Sequence, residues 1–299
     1  MAIFQEQVRF CLCSILLQAI CFSSPLLAQV TPQDGNWAAK SLAMTNTPEA
    51  DLMVRVGDID NLGFGWPSGF NPFSGRSTPV HAHPPTNPPG EPAGTDRIMV
   101  VTSYSNSPPA GADNYTLTTS RPSNDVETLM LTYGLPSIPV NTAAFQIFVD
   151  DFQAPVWRAN YRVLINDVRA PFLEEVINSL IQTGPIGRMI TVAIPSNFLA
   201  LVQSGTLSLN VDDVTTGAGD GYAIDFVKLL INPHQFSFTG AVSGLVLDSL
   251  NHTVPHAVVT TSSGVKGFTD ANGAYTLTGV PAGTVLIRAT KLAMPACQL

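Results

Sequence analysis

A chain of 299 residues reaches the size, roughly 250 to 300 residues, at which single cores stop growing, so two modules are expected. Only 12% of the residues are charged while 23 Gly and 24 Pro punctuate the chain, which favours a turn-rich β protein over a helical one. A net charge of -8 offers no basic face for neutralising phosphates, which argues against nucleic acid as the partner.

Arg9 precedes the apolar run "FCLCSILLQAICFSSPLLA", and Ala28 supplies a small residue before Gln29. That order is the pattern of a secretory signal peptide over residues 1–28, so the mature protein is expected to be secreted or in the cell envelope. Gln18, Ser23, Ser24 and Pro25 break the run before it reaches the ~20 apolar residues that a bilayer span needs. No second such run follows, and the mature chain is expected to lack a transmembrane segment. Cys11, Cys13 and Cys21 leave with the signal, so Cys297 remains alone and no internal disulfide is expected.

Residues 29–50 are polar and aperiodic and read as a lead-in or linker. From Asp51, "DLMVRVGDID" alternates Leu52, Val54 and Val56 against Met53, Arg55 and Gly57, a half-buried strand. Prolines then recur from Pro67 to Pro92, and a loop of that length inside a compact domain is usually functional or disordered. Strands follow in "DRIMVVTSYS", "NYTLTTS", "VETLMLTYG", "AAFQIFVDDF" and "ANYRVLINDV". "PFLEEVINSLIQTG" predicts one helix, with Pro171 in its first turn, apolar Leu173, Val176, Ile177, Leu180 and Ile181 on one side, and Gly184 as its stop.

"RMITVAIP", "GTLSLNVDD" and "GYAIDFVKLLIN" return to strand. Many strands with one inserted helix predict an all-β fold, a jelly-roll-like sandwich over residues 51–233 that serves as a binding domain. Its closing stretch "GDGYAIDFVKLLIN" resembles the last strand of the galactose-binding-like jelly rolls found in carbohydrate-binding modules, and what that one strand implies is the fold.

From Phe238 a second unit begins, over 238–299. "DANG" makes a hairpin turn with Gly273 free to take a positive φ, "AYTLTGV" alternates as a strand, and "VPAG" turns before "TVLIRAT". Gly244, Val246, Asp248, Pro255, Ala257, Val259, Thr269, Asp270, Gly273, Tyr275, Pro281 and Gly283 give this unit a pattern that resembles the carboxypeptidase regulatory-like, transthyretin-like β-sandwich repeats of exported bacterial proteins. The resemblance implies a small sandwich that acts as a folding and spacer unit without a peptidase site. Where such repeats continue into a further Gly-Tyr strand, this chain reads "KLAMPACQL", so the sandwich is either completed differently or truncated.

Motifs for catalysis are sparse. There is no Gly-x-Ser-x-Gly elbow, no His-Glu-x-x-His pair and no phosphate loop, since "GFGWPSG" lacks the Lys and the following helix. His81 and His83 in "VHAHPP" share one side of an extended segment but have no third metal ligand beside them. The paired acids Asp58/Asp60, Asp150/Asp151, Glu174/Glu175 and Asp212/Asp213 read as strand ends and turns, or as the carboxylates of a hydrolase if two of them converge near the proline-rich loop.

Four aromatics, Phe64, Trp66, Phe70 and Phe73, either plug the sandwich or form a ligand-stacking platform. Asp225 falls on a strand that is apolar on both faces, with Lys228 on the opposite face, and a buried carboxylate needs a partner. If first and last strands meet, Asp58, Asp60 and Asn61 approach Asp220 and Asp225, either as a hydrogen-bonded turn or as a structural calcium site. The spacing is not an EF-hand, because Leu62 holds the fifth position. Together these features point to an exported, non-enzymatic protein that binds an extracellular glycan or surface polymer. A structural or adhesion spacer in an envelope assembly is the alternative of a different class.

Overall fold

The computed structural model describes residues 42–57, 59–62, 64–81, 98–99, 128–134, 137–182, 186–216 and 222–291. The expected signal peptide, most of the lead-in, the strand expected at 114–120, and Asp58, His83, Asp220 and Cys297 lie outside the described residues. The chain divides into two compact units, one of residues Gln29–Phe238 with Ala282–Val285, the other containing Thr239–Pro281 and Leu286–Leu299. No helix among the described residues is long and apolar enough to cross a membrane.

In chain order the larger unit contains β1 (Leu42–Thr45), β2 (Ala50–Val56), β3 (Ile98–Met99), β4 (Leu129–Thr132), β5 (Ala143–Asp150), α1 (Ala154–Trp157), β6 (Arg162–Ile165) and β7 (Val168–Arg169). Then come α2 (Pro171–Ile177), β8 (Gly187–Ile194), α3 (Leu199–Val202), β9 (Thr206–Asp212) and β10 (Tyr222–Pro233). A six-stranded antiparallel sheet runs β1-β2-β10-β5-β8, with β3 also paired to β10, and a four-stranded sheet runs β4-β9-β6-β7. This is the expected all-β sandwich with little helix. Two one-turn helices, α1 and α3, accompany the expected α2, which ends seven residues before the predicted stop at Gly184.

β1 falls inside the stretch that reads as an irregular lead-in. Its side chains are mostly exposed, so it has no alternating pattern to betray it, and it exists because its backbone pairs with β2 from Leu42↔Arg55 to Thr45↔Leu52. The four-stranded sheet shows the opposite case: β4 alternates buried Leu129 and Leu131 with outward residues, which is how a sheet with one wet face reads in sequence.

In the six-stranded sheet, β2, β10, β5 and β8 are largely buried on both faces. On one face lie Val54 and Val56 of β2, Phe145 and Ile147 of β5, Val192 of β8 and Val227 and Leu229 of β10, which the strand pairings set side by side. On the other, Phe148, Met189 and Phe226 join Ile59 in a cluster covered by Trp66 and Phe73. A second patch on the sheet, Ala50, Met53 and Leu230, is covered by Phe236. Of the four aromatics in residues 64–73, two therefore roof the sheet.

The smaller unit pairs β11 (Thr239–Leu245) with β14 (Ala274–Pro281), and sets β12 (Val258–Thr261) between β13 (Lys266–Phe268) and β15 (Ile287–Thr290). Its core is Val246, Ala257, Val259, Leu277 and Val280. Two of its turns are built on aspartates. Asp248 Oδ1 accepts the backbone N–H of Leu250 and His252, and Asp270 Oδ1 accepts those of Asn272 and Ala274. The Asp270 turn closes on Gly273 at φ +76°, where a Cβ would come within 3.0 Å of the Val246 carbonyl.

Candidate functional site

The site begins with an irregularity in β10. Along its pairing with β5 the register shifts between Ile224 and Phe226, so Asp225 is an extra residue without a Cα partner on that strand. Such a bulge re-aims a side chain and breaks strict alternation, which is why simple parity does not place Asp225. On its other edge β10 pairs with β2 from Val227 to Pro233 and with β3 at Tyr222 and Ala223. The turn after β2 lies between the two. Gly57 passes so close that a Cβ there would stand 2.2 Å from the Asp225 carbonyl, and its φ is +83°.

The fully buried Asp225 carboxylate accepts the backbone N–H of Leu62 at 2.9 Å and of Asn61 at 3.3 Å. Asn61 and Leu62 have left-handed φ, 64° and 57°, an arrangement that costs free energy for non-glycine residues and turns successive N–H groups toward one anion. From this turn the rest follows. Asn61 Nδ2 donates to the Gly65 carbonyl at 3.0 Å, Gly65 N–H donates to the Asp60 carbonyl, and Phe64 N–H donates to the Asn61 carbonyl. Trp66 Nε1 donates back to the Ile59 carbonyl at 3.0 Å. The Trp66 ring then stands edge-on to Phe148 at 5.1 Å and stacks on Phe70 at 5.4 Å.

A second wall runs over residues 77–81. Thr78 exchanges bonds with Gly187, its N–H donating to the Gly187 carbonyl and its hydroxyl accepting the Gly187 N–H. Arg188, whose pKa is lowered from its ordinary value by burial, donates to the Ser77 hydroxyl. His81 Nε2 lies 2.9 Å from Asp150 Oδ2, and the Phe64 ring sits 4.5 Å from the His81 ring. Between the walls is an open cleft of about 270 Å³. Phe64, Trp66, Pro67, Pro79 and Val80 supply its apolar surface, and Asn61, Thr78 and His81 its polar groups.

The structure sorts the sequence candidates. Phe64 and Trp66 line the cleft, Phe70 stacks behind Trp66, and Phe73 packs inward, 5.9 Å from Phe226 and under the Lys228 ammonium. Asn61 and Asp225 come together as a hydrogen-bonded turn. Asp60 lends its carbonyl to the same turn, while Asp58 and Asp220 lie outside the described residues. Among the described residues no three His, Cys, Asp or Glu side chains are gathered as a metal site would need.

Two of the acidic pairs have members engaged elsewhere, Asp213 and Glu174. Burial raises the Asp213 carboxyl, but the Thr216 hydroxyl and the N–H groups of Thr215, Asn160 and Thr216 outweigh it and hold it below the usual carboxylate range. Glu174 accepts the Val163 N–H and pairs with Arg169. The sequence reading missed the role of Thr78 to Val80 and of Asp150. Nothing local marks them, since Asp150 meets a histidine 69 residues away. Comparison with protein-family models, with curated proteins and with solved structures gives no match for this chain.

Proposed function

We propose that the cleft between Phe64–Pro67 and Thr78–His81 binds a neutral carbohydrate, a piece of an extracellular or surface polymer, and releases it unchanged. The observation that carries this reading is the pairing of a partly exposed ring, Phe64 at 39% exposure, with the indole of Trp66 along one open cleft that Asn61, Thr78 and His81 also line. Aromatic faces offer apolar area to the C–H face of a sugar ring, and a few fixed polar groups orient its hydroxyls. A volume of about 270 Å³ falls just under the ~300 Å³ at which pockets for larger small molecules begin, a size for one sugar unit of a chain.

Supporting a binding role without bond cleavage, Asp213 and Glu174 are each committed to a structural partner, and Asp150 is engaged by His81. In this reading the unit from Thr239 is a spacer, and the Arg9-led apolar run directs export. The test is a glycan array probed with residues 29–299, with and without calcium, followed by titration of the best neutral glycan into Phe64→Ala. Binding that weakens about tenfold in the variant, with the glycan recovered uncut, is expected. An array without neutral-glycan signal, or a Phe64→Ala titration identical to wild type, overturns the reading in favour of a spacer.

A further inference from the structure

Two adjacent carboxylates at the end of β5 reach different aromatic groups. Asp150 holds His81 at the cleft. Asp151, which has a left-handed φ of 58°, accepts the side-chain amide N–H of Gln153, and Gln153 Oε1 in turn accepts Trp157 Nε1–H at 3.2 Å. Trp157 closes the one-turn helix α1, whose Ala154 is buried and whose end is fixed by Arg158 at φ 61° with its N–H on the Ala154 carbonyl. The Trp157 side chain is nevertheless 56% exposed. A large, mostly exposed aromatic held at its indole N–H by a hydrogen-bond chain is pre-organised, so little rotamer freedom remains to be lost when something stacks on it.

We propose that Trp157 is a second subsite for the same ligand, so that the protein recognises a stretch of neutral polysaccharide rather than a single sugar; this rests on the cleft being a glycan site. The chain from Asp150 to Trp157 spans at most roughly 25 Å even if fully extended, and its helical turn shortens that, a length that a few sugar units cover. The net charge of -8 disfavours uronic or sulfated chains, which makes an uncharged polymer the fitting class.

The experiment is calorimetric titration of the full chain with gluco-, xylo- and manno-oligosaccharides of two to six units, with polygalacturonate as an acidic control. In the series that binds, affinity is expected to rise about tenfold or more with length. Trp157→Ala removes that gain, Trp157→Phe keeps most of it, and Gln153→Ala, which unlocks the indole without removing it, gives a smaller loss confined to the longer chains. Trp157→Ala and Trp157→Phe keep the wild-type melting temperature, because the residue is 56% exposed. Length-independent affinity, or a Trp157→Ala variant equal to wild type on the longest chain, overturns the second subsite and leaves the cleft reading standing. Binding by none of the neutral series overturns both, and preference for polygalacturonate overturns the neutral class.

Discussion

Lys228 shows how much a single residue depends on what is folded over it. It is buried in the middle of β10, faces Arg55 and Gln146 across the two neighbouring strands, pairs with Glu49, and lies 4.8 Å from the Phe73 ring centroid. Burial pushes its pKa down, Glu49 pulls it back up, and Arg55 lowers it further. Between its folded value and the ordinary lysine range the unfolded chain holds a proton that the folded protein lacks. This group's contribution to stability therefore rises with pH through that window. Glu49→Gln is expected to destabilise by about 2 to 3 kcal/mol, short of a fully buried pair because Glu49 keeps 22% exposure. Lys228→Met, which removes the buried charge instead of stranding it, is expected to be neutral or stabilising. Urea melts of both variants at neutral pH check the pair of outcomes, and equal losses in the two would refute this account of the pair.

At the scale of an element, α2 separates local from tertiary causes. Pro171 in the first turn and the apolar spacing of Leu173, Val176 and Ile177 are local, and all three apolar residues are buried. The helix stops at Ile177 for a tertiary reason: the Asn178 side chain takes both the N–H and the carbonyl of Tyr161, and Gln182 N–H goes to the Phe152 carbonyl. Beyond that point Leu180 still turns inward, but Ile181, which continues the helical pattern in sequence, is 62% exposed. Leu180→Ala is expected to lose about 2 to 4 kcal/mol through transfer and cavity terms. A denaturant midpoint unchanged from wild type would show that this segment is not docked.

For the whole molecule, the smaller unit carries the association risk. Leu245, Leu250 and Phe268 are exposed there, and among the described residues β11 and β14 pair only with each other. Open strand edges and exposed apolar side chains favour self-association. The double variant Leu245→Lys with Phe268→Lys is expected to raise the monomer fraction in sedimentation without changing glycan affinity. Equal monomer content in the two proteins would place any association elsewhere.

By itself the sequence determined the β class, because Gly and Pro spacing and period-two alternation are local properties that survive without neighbours. It also determined the aspartate turn of the smaller unit in which Asp270 and Gly273 act within a few residues of each other. Only the tertiary structure decided the division of labour among the four aromatics, since Phe73 turns inward on Phe226 while Phe64 stays at the cleft. The approach of Asn61 to Asp225 is expected from sequence on condition that first and last strands meet; only the tertiary structure decided that the Asn61 and Leu62 N–H groups bond its carboxylate and that Asp150 serves His81. These contacts join residues 163 and 69 positions apart, and they depend on a bulge in β10 and on the end of β5, neither of which a one-dimensional pattern encodes.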